Sequence, residues 1–226
     1  GSSGDVMAYI EYLDGLPAPN GSTCVVQANA NTMRSFLYNR QVEQFLSRAV
    51  EEDLFEVYYQ PVYSIRKKRF VTLEALSRLR HPELGWISPD VFIRLAEKNR
   101  LIDALTDLQL RRVCRFLKSH ENVARQIDSV KVNLSALNLM QERCAERLIA
   151  ILDEYAMPHR LFQFEITETV ATEYSSRLSR AVDAFSHADI GLCLDDFGSG
   201  FANLNTVTHL PFSAIKLDRS LLYHIC

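Results

Sequence analysis

The 226-residue sequence contains no apolar run near the roughly 18 residues that a helix needs to cross a bilayer. It opens with no signal peptide, and its first four residues, GSSG, resemble an expression-tag scar that we exclude from fold reasoning. Its five cysteines are odd in number, scattered, and never spaced as CxxC. These absences argue against a membrane segment, a disulfide framework and a zinc site, and they favour reduced thiols in a cytoplasm.

Strong positive charge is missing as well. The formal net charge is −3, whereas a general polyanion binder is normally basic, so non-specific binding of DNA or RNA is not expected. The six histidines form no HExxH pattern, which leaves a zinc protease unsupported. The chain does have 47% hydrophobic and 23% charged residues, the balance of a globular protein with a substantial core.

The pattern of apolar and turn-forming residues changes near residue 50. Before that point, a short helical piece is followed by a Pro/Gly/Asn-rich stretch, a strand over 24–28, and apolar residues at helical spacing from Asn31 to Asp53. We interpret residues 1–48 as a tag remnant, the tail of an upstream module and a connecting helix, without a chemical motif. Residues 49–226 are the second unit.

Short β-rich runs alternate with helical patterns in this second unit, which predicts βα units and a mostly parallel sheet. Only the basic turn at 66–69 separates the first two runs, so these should pair as an antiparallel hairpin with a solvated tip. Ser88 should supply the N-cap oxygen of a helix that begins at Pro89. The predicted strands are 55–65, 70–79, 129–135, 161–167, 190–197 and 213–218, and the later helices are 101–119, 138–155, 172–187 and 203–209.

Polar residues lie at or near the ends of the runs after the first hairpin strand. In an α/β barrel, such residues from different strands converge on one mouth, where barrels carry out chemistry. Helix capping or local pairing explains any one of them equally well, but five strands with the same feature favour a site. The residues are Glu74, Asn133, Glu165, Asp195, Asp196, Lys216 and Asp218.

The residue types indicate which ligand such a mouth would take. Carboxylate and amide oxygens without cysteine or histidine suit Mg²⁺ or Mn²⁺. The adjacent Asp195 and Asp196 could bridge two ions about 4 Å apart, which form a clamp for displacement at phosphorus. Lys216 would then orient the attacking water or neutralise phosphate charge. An enolase-like barrel also places carboxylates and a lysine at strand ends, but the asparagine and the aspartate pair favour a two-metal phosphodiesterase.

These residues belong to ordered blocks that resemble the EAL-domain family, the bacterial cyclic di-GMP phosphodiesterases. The letters EAL alone carry no weight, whereas five ordered blocks across residues 55–220 are very specific. The blocks are Tyr59-Gln60-Pro61 with Glu74-Ala75-Leu76 and Arg78, then Asn133-Leu134-Ser135, Glu165-Ile166-Thr167-Glu168, Asp195-Asp196-Phe197-Gly198-Ser199-Gly200, and Lys216-Leu217-Asp218.

The resemblance implies an α/β fold, a TIM-like barrel with an antiparallel first strand, and hydrolysis of cyclic di-GMP to linear pGpG with two Mg²⁺ or Mn²⁺ ions. It implies a homodimer in the intact protein. It assigns the first metal to Glu74, Asn133, Glu165 and Asp195, the second to Asp195 and Asp196, and the catalytic set to Lys216, Glu74 and Asp195. It assigns substrate contact to Gln60, Arg78 and Asp218, and anchoring of the DDFG loop to Glu168.

The chain also departs from the family pattern. We count about six of the eight strands that a closed barrel requires, so we expect an incomplete barrel and weak or no hydrolysis by this polypeptide. Residues 1–48 are in the position of a degenerate GGDEF-like module, although no GGDEF motif is present. The alternative function is a non-catalytic receptor for cyclic di-GMP, or a protein-interaction module, with an EAL-like fold.

Overall fold

The structure is a computed structural model that describes residues 3–16, 28–167, 176–198 and 211–224. Its strands form one seven-stranded sheet. They are β1 (Phe55–Ser64), β2 (Arg69–His81), β3 (Gly85–Ile87), β4 (Ser129–Asn133), β5 (Phe162–Thr167), β6 (Gly191–Phe197) and β7 (Ala214–Leu217). The order across the sheet is β1-β2-β4-β5-β6-β7, and β3 pairs with β2.

Helices connect the strands. Among the described helices, none combines the length and the apolar character that crossing a membrane requires. They are α1 (Ser3–Asp14), α2 (Ala30–Glu51), α3 (Pro89–Lys98), α4 (Ile102–Ser119), α5 (Glu121–Gln126), α6 (Ala136–Leu139), α7 (Cys144–Glu154) and α8 (Ser176–His187). Two 3-10 helices cover His159–Leu161 and Arg219–His224.

The sheet has the direction pattern that the sequence predicts. β2, β4, β5, β6 and β7 run parallel, and β1 pairs antiparallel with β2. Over the described residues β1 and β7 are the two ends of the strand order, so the wall stays open between them. The α/β fold is therefore a TIM-like barrel with an antiparallel first strand, incomplete in the part of the chain that the structure describes.

β3, α5 and the division of one helix differ from the predictions. β3 pairs antiparallel with the end of β2, and a strand of three residues shows no alternation from which it could be predicted. The helix predicted over 138–155 is divided into α6 and α7. Ser135 caps the start of α6 by accepting from the Leu137 N–H at 3.1 Å. α5 was not predicted. The predictions for residues 203–209 and for most of 24–28 lie outside the described residues.

The start of α3 corrects one detail. The helix begins at Pro89, as predicted, but the side chain of Ser88 makes no capping hydrogen bond. Instead, the backbone carbonyl of Ser88 accepts from the N–H groups of Val91 and Phe92 at 3.0 and 3.2 Å. Pro89 lacks an N–H, so the helix start has one fewer backbone donor without a partner.

The main hydrophobic core lies on the outer face of the sheet. Alternate residues of the parallel strands, such as Val132, Phe164 and Leu194, pack with α4, α7 and α8 and are 0% exposed. Complete burial of each such side chain contributes about 1.5–3 kcal/mol. This layer leaves the intervening residues of the same strands to face the other side.

A second core cluster lies beside the carboxyl end of β2. Val42, Leu46 and Ala49 of α2 pack there with Phe55 and Phe92. The turn from α2 to β1 is held by Arg112 of α4, whose Nε donates to Asp53 Oδ1 at 2.9 Å. The second half of α2 therefore packs against the same unit as the sheet.

Candidate functional site

The inner face of the sheet is built from the residues that alternate with the outer core. The strand register pairs Glu74 with Lys131, Asn133 with Glu165, and Glu165 with Cys193. Paired residues of neighbouring strands project to the same side of a sheet, so these polar side chains share one face. The polar side chains of the parallel strands thus converge on one face of the sheet, as the sequence predicts.

Three carboxylates meet on this face. Glu74, Glu165 and Asp195 each offer an oxygen, and these oxygens all lie within 4.8 Å of one another, close enough to hold a metal ion. The Glu165 side chain is 0% exposed, and those of Glu74 and Asp195 are 15% and 16% exposed. Three ionised groups at this separation repel one another strongly unless a positive charge lies between them.

Lys216 of β7 supplies one such charge. Its Nζ lies 2.9 Å from Asp195 Oδ2, 3.1 Å from Glu74 Oε2 and 3.4 Å from Glu165 Oε2. Burial opposes the charged form of Lys216, but the hydrogen bond to Asp195 and the charges of Glu165 and Glu74 prevail, and they raise its pKa. The structure thus brings Lys216 together with three of the predicted carboxylate ligands.

A second ammonium group, which the sequence reasoning missed, lies deeper. Lys131 of β4 is buried, and its Nζ lies 2.9 Å from Glu165 Oε1 and 3.1 Å from Cys193 Sγ. Burial alone would lower the pKa of Lys131, but these two partners raise it. The available signal was a lysine inside an apolar run, two residues before Asn133.

Asp196 and Asn133 lie at the edge of this arrangement. Asp196 has a φ of 55°, which ends the strand alternation, and its N–H donates to Asp195 Oδ1 at 2.9 Å. Partial burial and the negative charges of Asp195 and Asp218 raise the pKa of Asp196. Asn133 ends β4 beside Glu165 and is exposed. The Asp196 side chain is not part of the group of three carboxylates.

The turn after Asn133 is held by α3. Ser135 Oγ donates to Glu97 Oε1 at 2.5 Å, and the Ser135 N–H donates to Asn138 Oδ1 at 3.0 Å. The Leu134 N–H donates to the carbonyl of Glu165 at 2.8 Å. These bonds fix the end of β4 relative to β5, so Glu97 and Asn138 are positioning residues that the sequence reasoning did not identify.

The residues assigned to substrate occupy the same face or its edge. Gln60 pairs with Glu74 across the hairpin and is exposed. Arg78 lies four residues beyond Glu74, and its Nη1 donates to the carbonyl of Ser77 at 2.9 Å. Asp218 Oδ1 accepts from the Ser220 N–H at 2.7 Å, and hydrogen bonds from the Ser220 side chain and backbone lower the Asp218 pKa. The predicted loop anchor, Glu168, lies outside the described residues.

The chain that forms this polar face is similar to known proteins. A family model described as EAL domain matches residues 43–226. The chain belongs to the EAL domain family. The matched range contains the polar residues of the candidate site and the last residues of α2, including Leu46 and Ala49.

Curated proteins are similar to most of this chain. The chain is 34% identical over 185 residues to the cyclic di-GMP phosphodiesterase NbdA of Pseudomonas aeruginosa, a match that covers 82% of this chain and 24% of that protein. It is 33% identical over 177 residues to a second cyclic di-GMP phosphodiesterase of that organism, covering 77% and 30%. The chain thus spans about a quarter of the length of the curated relatives it matches.

Solved structures agree with the fold. A structure described as PaMucR phosphodiesterase in complex with c-di-GMP superposes with a TM-score of 0.75 at 27% identity, covering 82% of this chain and 75% of that one. The FimX EAL domain of Pseudomonas aeruginosa bound to c-di-GMP gives 0.72 at 23% identity, covering 81% and 74%. The second match supports the fold alone.

Proposed function

We propose that this EAL domain hydrolyses cyclic di-GMP to linear pGpG with two divalent cations, Mg²⁺ or Mn²⁺, in a cytoplasm. The observation that carries the proposal is the convergence of Glu74, Glu165 and Asp195 on Lys216 at the carboxyl ends of the strands. The two relatives named as cyclic di-GMP phosphodiesterases support the substrate.

The oxygen donors fit hard divalent cations. Glu74, Asn133, Glu165 and Asp195 would hold the first ion, and Asp195 with Asp196 the second. Bound ions of this kind activate water and neutralise charge on phosphate oxygens. The Asp196→Asn variant should therefore lower the number of Mn²⁺ ions bound per chain from two to one, measured by calorimetry; an unchanged stoichiometry would contradict the two-ion assignment.

Lys216 has the geometry of a positively charged hydrogen-bond donor. Its Nζ already lies within hydrogen-bond range of three carboxylates, so it would direct an N–H towards an attacking water or a phosphate oxygen between them. Gln60, Arg78 and Asp218 would contact the substrate. Glu168 would anchor the loop after Asp196, and that loop would join two copies as a homodimer.

The test is product analysis with protein in excess over cyclic di-GMP, which detects even a slow single turnover. We expect pGpG by mass spectrometry in Mg²⁺ or Mn²⁺ and none in EDTA. Asp195→Asn should abolish the product, whereas Asp153→Asn, an exposed aspartate on α7, should not. Metal-independent turnover, or equal loss in both variants, would contradict the proposal. The measured rate also tests the expectation of weak hydrolysis.

One observation favours the non-catalytic receptor as a second candidate. Lys131 and Lys216 offset two of the three converging negative charges, so the inner face needs no cation to keep its carboxylates together. A receptor would bind cyclic di-GMP in EDTA and in Mg²⁺ with similar affinity and release no pGpG. Calorimetry followed by product analysis separates this outcome from hydrolysis.

A further inference from the structure

The turn between β1 and β2 carries four consecutive positive charges. They are Arg66, Lys67, Lys68 and Arg69, and all four are exposed. Asp128, which precedes β4, pairs with Lys67 and with Arg69, and each N–O distance is 2.8 Å. Among the acidic residues that the structure describes, none pairs with Arg66 or Lys68. Four positive charges thus face one carboxylate, which leaves the turn strongly basic.

Exposed apolar side chains flank these charges. Ile65, at the start of the turn, is 87% exposed, the highest value among the large hydrophobic residues that the structure describes. Tyr63 and Phe70, on either side of the turn, are 52% and 55% exposed, and their ring centroids lie 5.4 Å apart in an edge-to-face arrangement. We refer to Tyr63, Ile65, Arg66, Lys68 and Phe70 as the hairpin tip patch.

Local bonds hold the turn in one shape. The Lys67 N–H donates to Ser64 Oγ at 3.0 Å, and Lys68 has a φ of 52°, in the left-handed region that closes tight turns. The guanidinium of Arg69 donates to the carbonyl of Gln126, which joins the base of the turn to the segment before β4. A turn that is already ordered loses little conformational entropy when a partner binds to it.

The hairpin tip patch lies at the end of the sheet opposite the candidate site. Glu74 lies five residues beyond Arg69 on β2, which is about 17 Å along an extended strand. β4, β5, β6 and β7 run parallel to β2, so their carboxyl ends also point away from the turn. A partner bound at the hairpin tip patch would therefore leave the candidate site open to solvent.

The combination of side chains fits the surface of an anionic bilayer. Clustered lysine and arginine residues are attracted to anionic lipid headgroups, aromatic rings favour the membrane–water interface, and aliphatic side chains enter the acyl boundary. A nucleic acid would also attract the cations and the rings, but it would leave the Ile65 side chain without an apolar partner. An anionic membrane is thus the partner that matches every side chain of the hairpin tip patch.

We propose that the hairpin tip patch docks this domain on a membrane surface that contains anionic phospholipid. Arg66 and Lys68 would lie against the lipid phosphates, and Ile65 would enter the boundary between headgroups and acyl chains. The carboxylates of the candidate site would then face the aqueous side. This docking is separate from the proposed hydrolysis, and neither depends on the other.

Sedimentation with lipid vesicles tests the docking. Vesicles of phosphatidylglycerol mixed with phosphatidylcholine are compared with vesicles of phosphatidylcholine alone, at low and at high salt. We expect the protein to sediment with the anionic vesicles, and salt should weaken this binding because it screens exposed charges. Equal binding to both kinds of vesicle, or binding to neither, would overturn the proposal. Displacement from the vesicles by an oligonucleotide at equal phosphate concentration would favour a nucleic acid and would also overturn it.

Two double variants separate the hairpin tip patch from net charge. Arg66→Ala with Lys68→Ala should weaken binding to anionic vesicles roughly 30-fold, because two cations that face the lipid are lost. Arg48→Ala with Lys98→Ala is the matched control: it removes one arginine and one lysine, both exposed, from α2 and α3. The control should bind nearly as wild type does. Equal losses of affinity in the two double variants would refute a specific docking surface.

A fluorescence reporter tests which end of the hairpin meets the lipid. Trp86 is the single tryptophan of the chain and pairs with Arg80 at the far end of β2, so Ile65→Trp in a Trp86→Phe background moves the reporter to the turn. Anionic vesicles should shift the emission of this reporter to the blue and leave that of wild-type Trp86 unchanged. A shift of Trp86 with none at residue 65, in protein that sediments with the vesicles, would overturn the proposed orientation.

Ile65→Ser tests the apolar contribution. Ile65 is 87% exposed, so the variant should fold normally, which a thermal melt checks. Its affinity for anionic vesicles should fall roughly tenfold, because the aliphatic contact with the acyl boundary is lost. Wild-type affinity in the folded variant would refute the insertion of this side chain.

Discussion

Two neighbouring residues of β5, Phe164 and Glu165, are both buried, but for different reasons. Phe164 is 0% exposed in the outer core and lies 4.8 Å from the ring of Phe185. Glu165 is 1% exposed and faces two ammonium groups on the inner side. One strand thus presents a hydrophobic core on one face and a charged site on the other, since its side chains alternate.

The contrast shows where function leaves a physical trace. Burial of Phe164 stabilises the fold, whereas transfer of an ion such as Glu165 out of water costs several kcal/mol that its partners must offset. Burial of an apolar side chain such as Phe164 carries no such cost. A buried charge whose neighbours have shifted pKa values therefore indicates a functional site more strongly than burial alone does.

The outer face should give the largest stability effect. Phe164→Ala leaves a cavity among α8 and the strands and should lower the free energy of unfolding by about 3–5 kcal/mol. Urea denaturation measures the change. Phe70→Ala is the control, because Phe70 is 55% exposed, and it should change stability by less than about 1 kcal/mol. Similar losses of unfolding free energy in the two variants would contradict the stabilising role of the outer core.

The inner face should give the largest functional effect. Glu165→Gln removes a proposed metal ligand, so Mn²⁺ affinity should fall. Loss of a residue that only hydrogen-bonds to a metal ligand costs roughly 10–100-fold in affinity, and loss of the ligand itself should cost more. Calorimetry measures the affinity. Glu154→Gln, an exposed glutamate on α7 that pairs with Arg111, should leave it unchanged. Normal Mn²⁺ affinity in Glu165→Gln would remove Glu165 from the site.

Lys131 tests how the charge of Glu165 is offset. Lys131→Met leaves Glu165 with Lys216 as its remaining ammonium partner and should destabilise the metal-free protein by about 2–3 kcal/mol. Added Mg²⁺ should narrow the deficit, because the variant lacks the ammonium group beside Glu165 and should bind the cation more tightly than wild type does. The control is Lys67→Met, which breaks an exposed pair with Asp128 and should cost at most about 1 kcal/mol. An equal cost in urea denaturation would contradict the role of Lys131.

The smallest effect concerns a carboxylate paired without burial. Hydrogen bonds from Lys67 and Arg69 lower the pKa of Asp128, so its folded pKa lies below its unfolded value. Its contribution is complete above the unfolded pKa and disappears as the pH falls through the folded pKa. Asp128→Asn should therefore lose less stability than wild type between pH 7 and pH 3 in urea denaturation. Parallel pH profiles would refute this assignment.

Much of the fold follows from local pattern. All six predicted strands exist within two residues of their expected bounds, because each is an apolar run bounded by turns or helices. The antiparallel hairpin followed from the short turn at 66–69. The three-residue β3 and the backbone hydrogen bonds at Ser88 could not be predicted from a sequence pattern, because both depend on hydrogen bonds that form only in the folded chain.

The candidate site was predictable in part for a related reason. Glu165, Asp195 and Lys216 lie near strand ends and Glu74 lies inside the long β2, and the four side chains meet as expected. Lys131 was overlooked because it lies within an apolar run, and only the register with Glu74 shows which way it faces. The positive φ of Asp196 likewise depends on the turn that follows β6, which residue type alone does not specify.

The reversed direction of β1 has a consequence for how signals could reach the site. In an all-parallel barrel the incoming chain would enter at the edge opposite the chemistry. Here Phe55 begins β1 beside Leu79, at the carboxyl edge of β2, only a few residues after the end of α2. α2 therefore leads into the sheet at the edge that carries Arg78, so a displacement of this helix would act first on the side of the candidate site.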